Sequence, residues 1–416
     1  MKKYKMAALC LALSTFVSFI SYDMALAADP IYTFGIGPGL DNLSLGDDYA
    51  VYQWGLKNDG QFEMLERKLD LPTIDLNVTT DSNGVYTISL PPLSPGNFKI
   101  TSTVAKPGID INIQPAWELY KQIEHKRPVT VAVIDTGIDA SHPDLASSMW
   151  VNTDEIPGDG IDNDGNGYAD DINGWNFLDN NNVLYSGKFD SHGTHAAGTI
   201  AASKDDGGIA GIADNSYVKL MSLKALGGEN GRGTPETVMA AIRYAEANGA
   251  QICNLSFGSQ GCTDEMATLM KESSMLFIVA AGNGDDNEIG YNIDNYPVYP
   301  ASLPYDNILT VGNLMFNGKL DKSSNAGPIS VDIAAPGTYI LSTIPEQSYA
   351  FMSGTSMAAP MVTGIAAMVY SARPELNVLD VKNILIASAH KLDTLNGRVL
   401  SGGMVDANAA LQWGRQ

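Results

Sequence analysis

Three short stretches of the chain carry a side chain suited to acid–base or nucleophilic chemistry where a strand should end or a helix should begin. Asp135 follows the continuous apolar run Val129–Ile134 and precedes Thr136 and Gly137. His192 sits in Asp190-Ser-His-Gly-Thr-His195, ahead of an Ala-rich segment. Ser356 sits in Ser353-Gly-Thr-Ser-Met-Ala-Ala-Pro360, where small residues form a turn into an apolar helix. Singly, each has a plain structural reading: a turn aspartate, a polar helix start, an ordinary cap. Together they fill three coupled roles. A serine hydroxyl is a poor nucleophile until a base takes its proton, and that base needs a third group to fix its tautomer and stabilise the imidazolium.

The elements that must position these residues are legible from periodicity. Val129–Ile134 is apolar throughout with a β-branched bias, as expected of a strand buried on both faces of a parallel sheet. Similar runs recur at Val218–Leu223, Ala250–Leu255, Leu276–Ala280 and Ile308–Val311. Between them, Pro235–Ala247 places Val238, Ala241, Ile242 and Ala245 at helical spacing. This alternation predicts an α/β fold: a doubly wound, mostly parallel central sheet with helices on both faces. Sites in such folds lie at the carboxyl ends of strands. The chain divides by this reading into a signal peptide (1–27), an N-terminal arm (28–60), a small β-rich insertion (61–106) and a catalytic domain (107–416). The insertion is marked by two β-like runs, Val85–Leu90 and Phe98–Val104, with a Pro/Gly-rich turn between them.

With these stretches in hand, the chain resembles the subtilisin-like serine peptidases, or subtilases. The resemblance rests on Val-Ala-Val-Ile-Asp135-Thr-Gly, His192-Gly-Thr-His-Ala-Ala-Gly and Gly-Thr-Ser356-Met-Ala-Ala-Pro, and on Asn254-Leu-Ser-Phe-Gly258 and Ala280-Ala-Gly-Asn283. It implies a catalytic triad of Asp135, His192 and Ser356, with the Asn283 side chain and the Ser356 backbone N–H stabilising the tetrahedral oxyanion. It also implies that an extended peptide is held between two backbone edges, Gly231-Arg232-Gly233 and Ser256-Phe257-Gly258, with Asn295 at the floor of the primary specificity pocket.

The segment from Asp159 to Asp171 sets hard oxygen donors at alternate positions, with glycine at the sharp turn. Asp162, Asp164, Asn166, Asp170 and Asp171 are its candidate ligands for calcium. Asn173 stands where an EF-hand would carry its last glutamate, so the loop departs from that motif. A second site, with Asp144, Asp205 and Asp48, is implied by the resemblance alone. Both ions would be structural.

Acidic residues outnumber basic ones, 47 to 25, for a formal charge of −22, which excludes nucleic acid as a partner. Protein or peptide substrates remain, and the chain is expected to be monomeric. The start reads as a basic n-region, an apolar run from Met6 to Ile20 and Ala25-Leu-Ala27, a secretory signal whose apolar run is shorter than the ~20 residues of a membrane span. The expected product is a secreted enzyme without a membrane anchor. Of the three cysteines, Cys253 and Cys262 would remain, either as a disulfide closing a small loop or as separate thiols. Two further readings are carried. A dedicated maturation protease trimming one secreted precursor would use the same chemistry. A non-enzymatic binding module would normally lack a triad member, and none is lacking.

Overall fold

The computed structural model describes Tyr49, residues 52–60 and residues 102–415 except 205, 206, 229, 230 and 286, together with the backbone of four strands between residues 63 and 104. These residues fall into two compact units. One contains the strands between Gln61 and Ala105, and the other contains the described residues up to and including Gly60 and those from Lys106 onward.

In the first unit, β1 (Glu63–Leu69) pairs antiparallel with β4 (Phe98–Val104), and β2 (Asn77–Thr80) pairs with β3 (Tyr86–Ser89). The two runs legible in the sequence therefore do not pair with each other. Each has a partner whose own pattern is weak. β1 reads Glu-Met-Leu-Glu-Arg-Lys-Leu, with no alternation to betray it, and it becomes a strand through its ladder with β4.

The second unit is built around β5 (Val129–Asp135), whose residues are buried except Thr130. It lies between β7 (Val218–Lys224) and β8 (Ile252–Leu255), parallel to both. Next to β7 lies β6 (Gly174–Asn176). Beyond β8 come β9 (Leu276–Ala280), β10 (Ile308–Leu314) and β11 (Ile333–Pro336). Two short strands, β15 (Gly403–Met404) and then β14 (His390–Lys391), complete a nine-stranded sheet, and only the β14–β15 pair is antiparallel. From β5 the chain goes first to β6 and β7 on one side and then to β8 through β11 on the other. The end of β5 is thus the topological switch point, where the connecting loops diverge and leave a crevice.

The helices that matter for this crevice are α3 (Ser191–Ala201) and α6 (Thr355–Ala372). Of the others, α1 (Ile113–Lys121) and the single turn α2 (Pro143–Ala146) precede them, and α4 (Pro235–Ala247) and α5 (Asp264–Glu272) lie between them in the chain. α7 (Val378–Ala387) and α8 (Ala407–Gln412) close the unit. α4 spans the residues its periodicity predicts, and a reciprocal pair of bonds between Thr234 and Thr237 caps its start. α3 and α6 pack on each other, and α6 lies against β8 through β11. Both are sheathed in small residues, so backbones approach closely: a Cβ on Gly364 of α6 would sit 2.7 Å from Ile212.

Residues 52–60 belong to this second unit. Trp54 is buried and donates its indole N–H to Thr338 O (2.9 Å), and the Gln53 amide exchanges two bonds with the backbone of Ala210. The chain then leaves and returns at one place, where Gly108 N donates to Asn58 O (2.9 Å) and Ile111 N to Gly55 O (2.9 Å). Asn58 N donates in turn to the Asp110 carboxylate (2.8 Å). Among the described residues, no helix is long and apolar enough to cross a membrane.

Candidate active site

Asp135 ends β5 fully buried at the switch point. Its Oδ1 accepts the Thr136 N–H (2.7 Å) and is 2.8 Å from Nδ1 of His192, while Oδ2 is buried with no hydrogen-bond partner. The carboxylate therefore requires Nδ1 to carry a proton and leaves Nε2 as the basic nitrogen. His192 stands in the first turn of α3, with its side chain one-third exposed (34%). Desolvation pulls the imidazole pKa down, but the charge of Asp135 and the hydrogen bond to it outweigh this and hold it above the ordinary histidine value. Helix α3 can come this close because residue 193 is glycine: a Cβ there would lie 2.3 Å from Gly137 O and 3.1 Å from the Asp135 Cβ.

His195, one turn further on, has a different environment. It is buried, its Nε2 lies 2.9 Å from Ile340 O, and burial pushes its pKa down to about 4. It anchors the hairpin of β12 (Ile340–Ile344) and β13 (Ser348–Met352) to α3.

Ser356 lies in the first turn of α6, behind Gly354, whose φ of 149° favours glycine. Its Oγ donates to Ser256 O (2.8 Å) rather than to His192, and Ser256 Oγ donates back to Ser356 O (3.0 Å). Its own N–H belongs to the first turn, which has no intrahelical acceptor and carries the positive end of the helix dipole. Beside it, Asn283 follows β9. Its Oδ1 accepts both the N–H (2.8 Å) and the hydroxyl (3.0 Å) of Thr355, which fixes the amide and leaves Nδ2 as its donor.

Two cavities adjoin these groups. The smaller, about 270 Å³, is lined by Ser356, Asn283, Gly258, Gly282, Val298 and the buried Asn325, among others. Asn295 is exposed and does not line it; Asn325 holds the polar position there, its amide locked between Ala281 O and Tyr291 N. The larger cavity, about 630 Å³, has Gly231, Arg232 and Gly233 on one wall and Phe257 and Gly258 on the other. Ser256 lies outside it, beneath Ser356.

A model of the family described as the subtilase family matches residues 126–404. The chain belongs to the subtilase family. Subtilases are serine endopeptidases, and similar relatives carry matching names. The chain is 36% identical over 269 residues to the major intracellular serine protease of Bacillus subtilis, covering 64% of this chain and 75% of that one. It is 32% identical over 291 residues to subtilisin DY of Bacillus licheniformis, with coverage of 68% and 91%. It is 34% identical over 297 residues to subtilisin-like protease 1 of Plasmodium berghei; here it covers 66% of its own length but only 48% of the relative's. The crystal structure of a cold adapted subtilisin-like serine proteinase aligns with a TM-score of 0.52 at 26% identity, over 67% of this chain and 90% of that one. This confirms the subtilisin-like, mostly parallel α/β fold.

The subtilase also contains an acidic cluster able to hold a metal ion. Glu155, Asp164 and Asp171 each bring a carboxylate oxygen within 4.8 Å of the others. Two of these carboxylates are buried, so their mutual repulsion is poorly screened, and a hard divalent cation suits such an all-oxygen set. Asn152 bridges Asp164 (3.0 Å) and Asp171 (2.6 Å) through Nδ2, and Tyr244 donates its hydroxyl to Asp171 (2.5 Å). Glu155 also accepts the N–H groups of Asn163 (2.7 Å) and Asp170 (2.8 Å), and the other candidate ligands likewise bond within the loop. Asp162 accepts the N–H groups of Gly165, Asn166 and Gly167, Asp170 those of Gly158 and Gly160, and Asn166 Oδ1 that of Tyr168. Glu155 escapes a sequence reading because it precedes the alternating pattern. Asp144 is buried and accepts from Ile209 N and Tyr349 Oη, whereas Asp205 and Asp48 lie outside the described residues. Cys253 and Cys262 are separate free thiols, the first buried with its pKa pushed up by desolvation.

Proposed function

We propose that this subtilase is a secreted serine endopeptidase of broad specificity that cleaves peptide bonds through Asp135, His192 and Ser356. The observation that carries the reading is the 2.8 Å Asp135–His192 hydrogen bond at the switch point of the sheet. It creates an oriented base at the start of α3, and α3 packs on α6, whose first turn carries Ser356. Rotation about the Ser356 Cα–Cβ bond takes Oγ off Ser256 O and presents it to His192 Nε2; such contacts are often unformed until substrate binds. Ser356 Oγ then attacks the peptide carbonyl while Nε2 takes its proton. The developing oxyanion is met by Asn283 Nδ2 and the Ser356 N–H, both in place beforehand. Nε2 protonates the leaving amine, and water hydrolyses the acyl-enzyme by the reverse sequence. Asp135 stays ionised and supports the imidazolium.

The substrate lies extended between Gly231–Gly233 and Ser256–Gly258. Its side chain before the cut enters the 270 Å³ cavity, and one further along enters the 630 Å³ cavity. Calcium would be held by Glu155, Asp164 and Asp171, where it neutralises converging carboxylates and stiffens the loop; it takes no part in the chemistry. The signal peptide 1–27, the insertion 61–106 and a monomeric state complete the reading. The test is expression of the chain and its Ser356→Ala variant, followed by hydrolysis of casein and of a peptide library. Hydrolysis of both substrates by the parent and neither by the variant is expected. Casein left intact beside one well-cleaved peptide would favour a dedicated processor, and activity in the variant would refute the triad.

A further inference from the structure

Lys224 stands opposite Asp135 in the β5–β7 ladder, at the last residue of β7. A lysine ending a central strand would ordinarily reach for solvent, since its ammonium is strongly hydrated. Here the side chain is 2% exposed, and its Nζ meets two acceptors: the Thr136 carbonyl (2.5 Å), one residue past Asp135, and Oδ1 of Asp190 (2.5 Å), two residues before His192. Asp190 is itself 1% exposed, and its Oδ2 accepts the backbone N–H (2.6 Å) and hydroxyl (3.0 Å) of Ser186. The ion pair is thus enclosed, with Nζ bonded to two acceptors and both Asp190 oxygens occupied. The backbone around it works in the same direction. Ala225 and Leu226, just after the lysine, donate their N–H groups to Asp135 O (3.0 and 3.1 Å), so one segment holds two successive carbonyls of the β5 end.

We propose that Lys224 and Asp190 form a positioning clamp, in which the buried ammonium ties the loop behind Asp135 to the start of the helix carrying His192 and so sets the Asp135–His192 distance. Two weaker ties accompany it, Gly193 N to Thr136 Oγ1 (3.1 Å) and Asp139 N to Thr194 Oγ1 (3.1 Å). These are neutral bonds, about half as strong as charge-assisted ones. A buried ion pair is a weak argument for stability, because apolar side chains of similar volume often do as well. It does hold two loops at a defined separation. Catalysis is sensitive to that separation: a displacement of about 1 Å at a reacting group can cost on the order of a hundredfold.

The inference rests on the triad reading of the site, and the experiment separates the two. The Lys224→Met/Asp190→Asn double variant removes both charges and strands neither. It is compared with the parent and with Ser356→Ala for melting temperature, kcat, KM and the pH dependence of kcat/KM. The double variant is expected to fold, to lose about tenfold to a hundredfold in kcat with KM within about twofold, and to shift its acid limb to lower pH. That shift follows because a slackened Asp135 bond supports the imidazolium less, with Asp135 and His195 the titratable groups facing the ring. A folded double variant with parental kcat and acid limb overturns the clamp. Hydrolysis surviving Ser356→Ala overturns the site reading and the clamp together. If the double variant does not fold, Asp190→Glu decides. It keeps the charges but lengthens the arm by one methylene, and a folded Asp190→Glu enzyme with unchanged kcat is equally fatal.

Discussion

Ser356 and Ser256 exchange two hydrogen bonds, each hydroxyl donating to the other residue's carbonyl, at 2.8 and 3.0 Å. The exchange is backed by a buried chain in which Asn254 Nδ2 donates to Ser256 Oγ and Thr363 Oγ1 to Asn254 Oδ1 (2.9 Å each). The start of α6 is therefore fastened to the end of β8 independently of the imidazole. Ser256→Ala should cost about 1–3 kcal/mol of stability, because it leaves Ser356 O and the Asn254 amide short of a partner. Urea denaturation of the Ser356→Ala background, with and without the second substitution, measures this free of self-digestion.

Asn283→Ala should lower kcat by about 10²–10³ with little change in KM, a magnitude taken over from the corresponding asparagine of a subtilisin, a member of the same family. The structure adds a second arm: Thr355→Val removes one of the two bonds that fix the amide, at Oγ1, and should cost less than Asn283→Ala. Steady-state kinetics on one chromogenic peptide checks both, and an Asn283→Ala enzyme with parental kcat would remove that side chain from the oxyanion hole.

The pH dependence follows from His192. In the proposed mechanism its neutral form is the base, so kcat/KM should fall as pH drops through an imidazole pKa held above the usual ~6.5 by Asp135. Asp135→Asn should move that limb to lower pH and reduce kcat severely, since the tautomer is no longer fixed. Because the folded pKa is raised, His192 contributes stability that is complete below ~6.5 and is lost as pH rises through the folded value.

His195 acts on stability with the opposite sign. Its pKa falls to about 4 in the fold, so between ~6.5 and about 4 the unfolded chain takes up a proton that the native state refuses. Stability should decline across that window by about 3 kcal/mol from this residue. Urea midpoints at pH 7, 5.5 and 4 in the Ser356→Ala background test it, and His195→Gln should flatten the decline relative to the parent.

Chelation should lower the melting temperature, and Asp171→Asn should abolish most of the difference between calcium-loaded and chelated protein. A cation held a hundredfold above its dissociation constant contributes about 2.7 kcal/mol. Calorimetry with and without calcium checks this, and identical melting in the parent under both conditions would dismiss the ion.

Replacing residues 61–105 by a short Gly/Ser linker should leave a folded peptidase, because the chain departs and returns where Gly108 N already bonds Asn58 O. Hydrolysis lost together with the fold would show that the inserted strands are needed by the rest of the chain.

Much of this protein is legible in one dimension, and the rest is not, for a physical reason. Strands buried on both faces are mostly apolar, so β5, β7, β8, β9 and β10 declare themselves even though β7, β8 and β10 carry isolated polar residues, as does α4 by its 3.6-residue period. Asp135, His192 and Ser356 stand out because each sits among small residues at an element boundary. By contrast, β1 has no pattern of its own and exists through its ladder with β4. Asn325 and Glu155 reach their sites by chain folding, from positions that no local motif marks. The buried partnership of Lys224 with Asp190 belongs wholly to the tertiary structure. Two charges 34 residues apart look like solvated surface until a parallel ladder sets one beside Asp135 and a helix start brings the other to meet it. Periodicity reports what a residue faces within its own element; which elements converge depends on the order in which the sheet is wound.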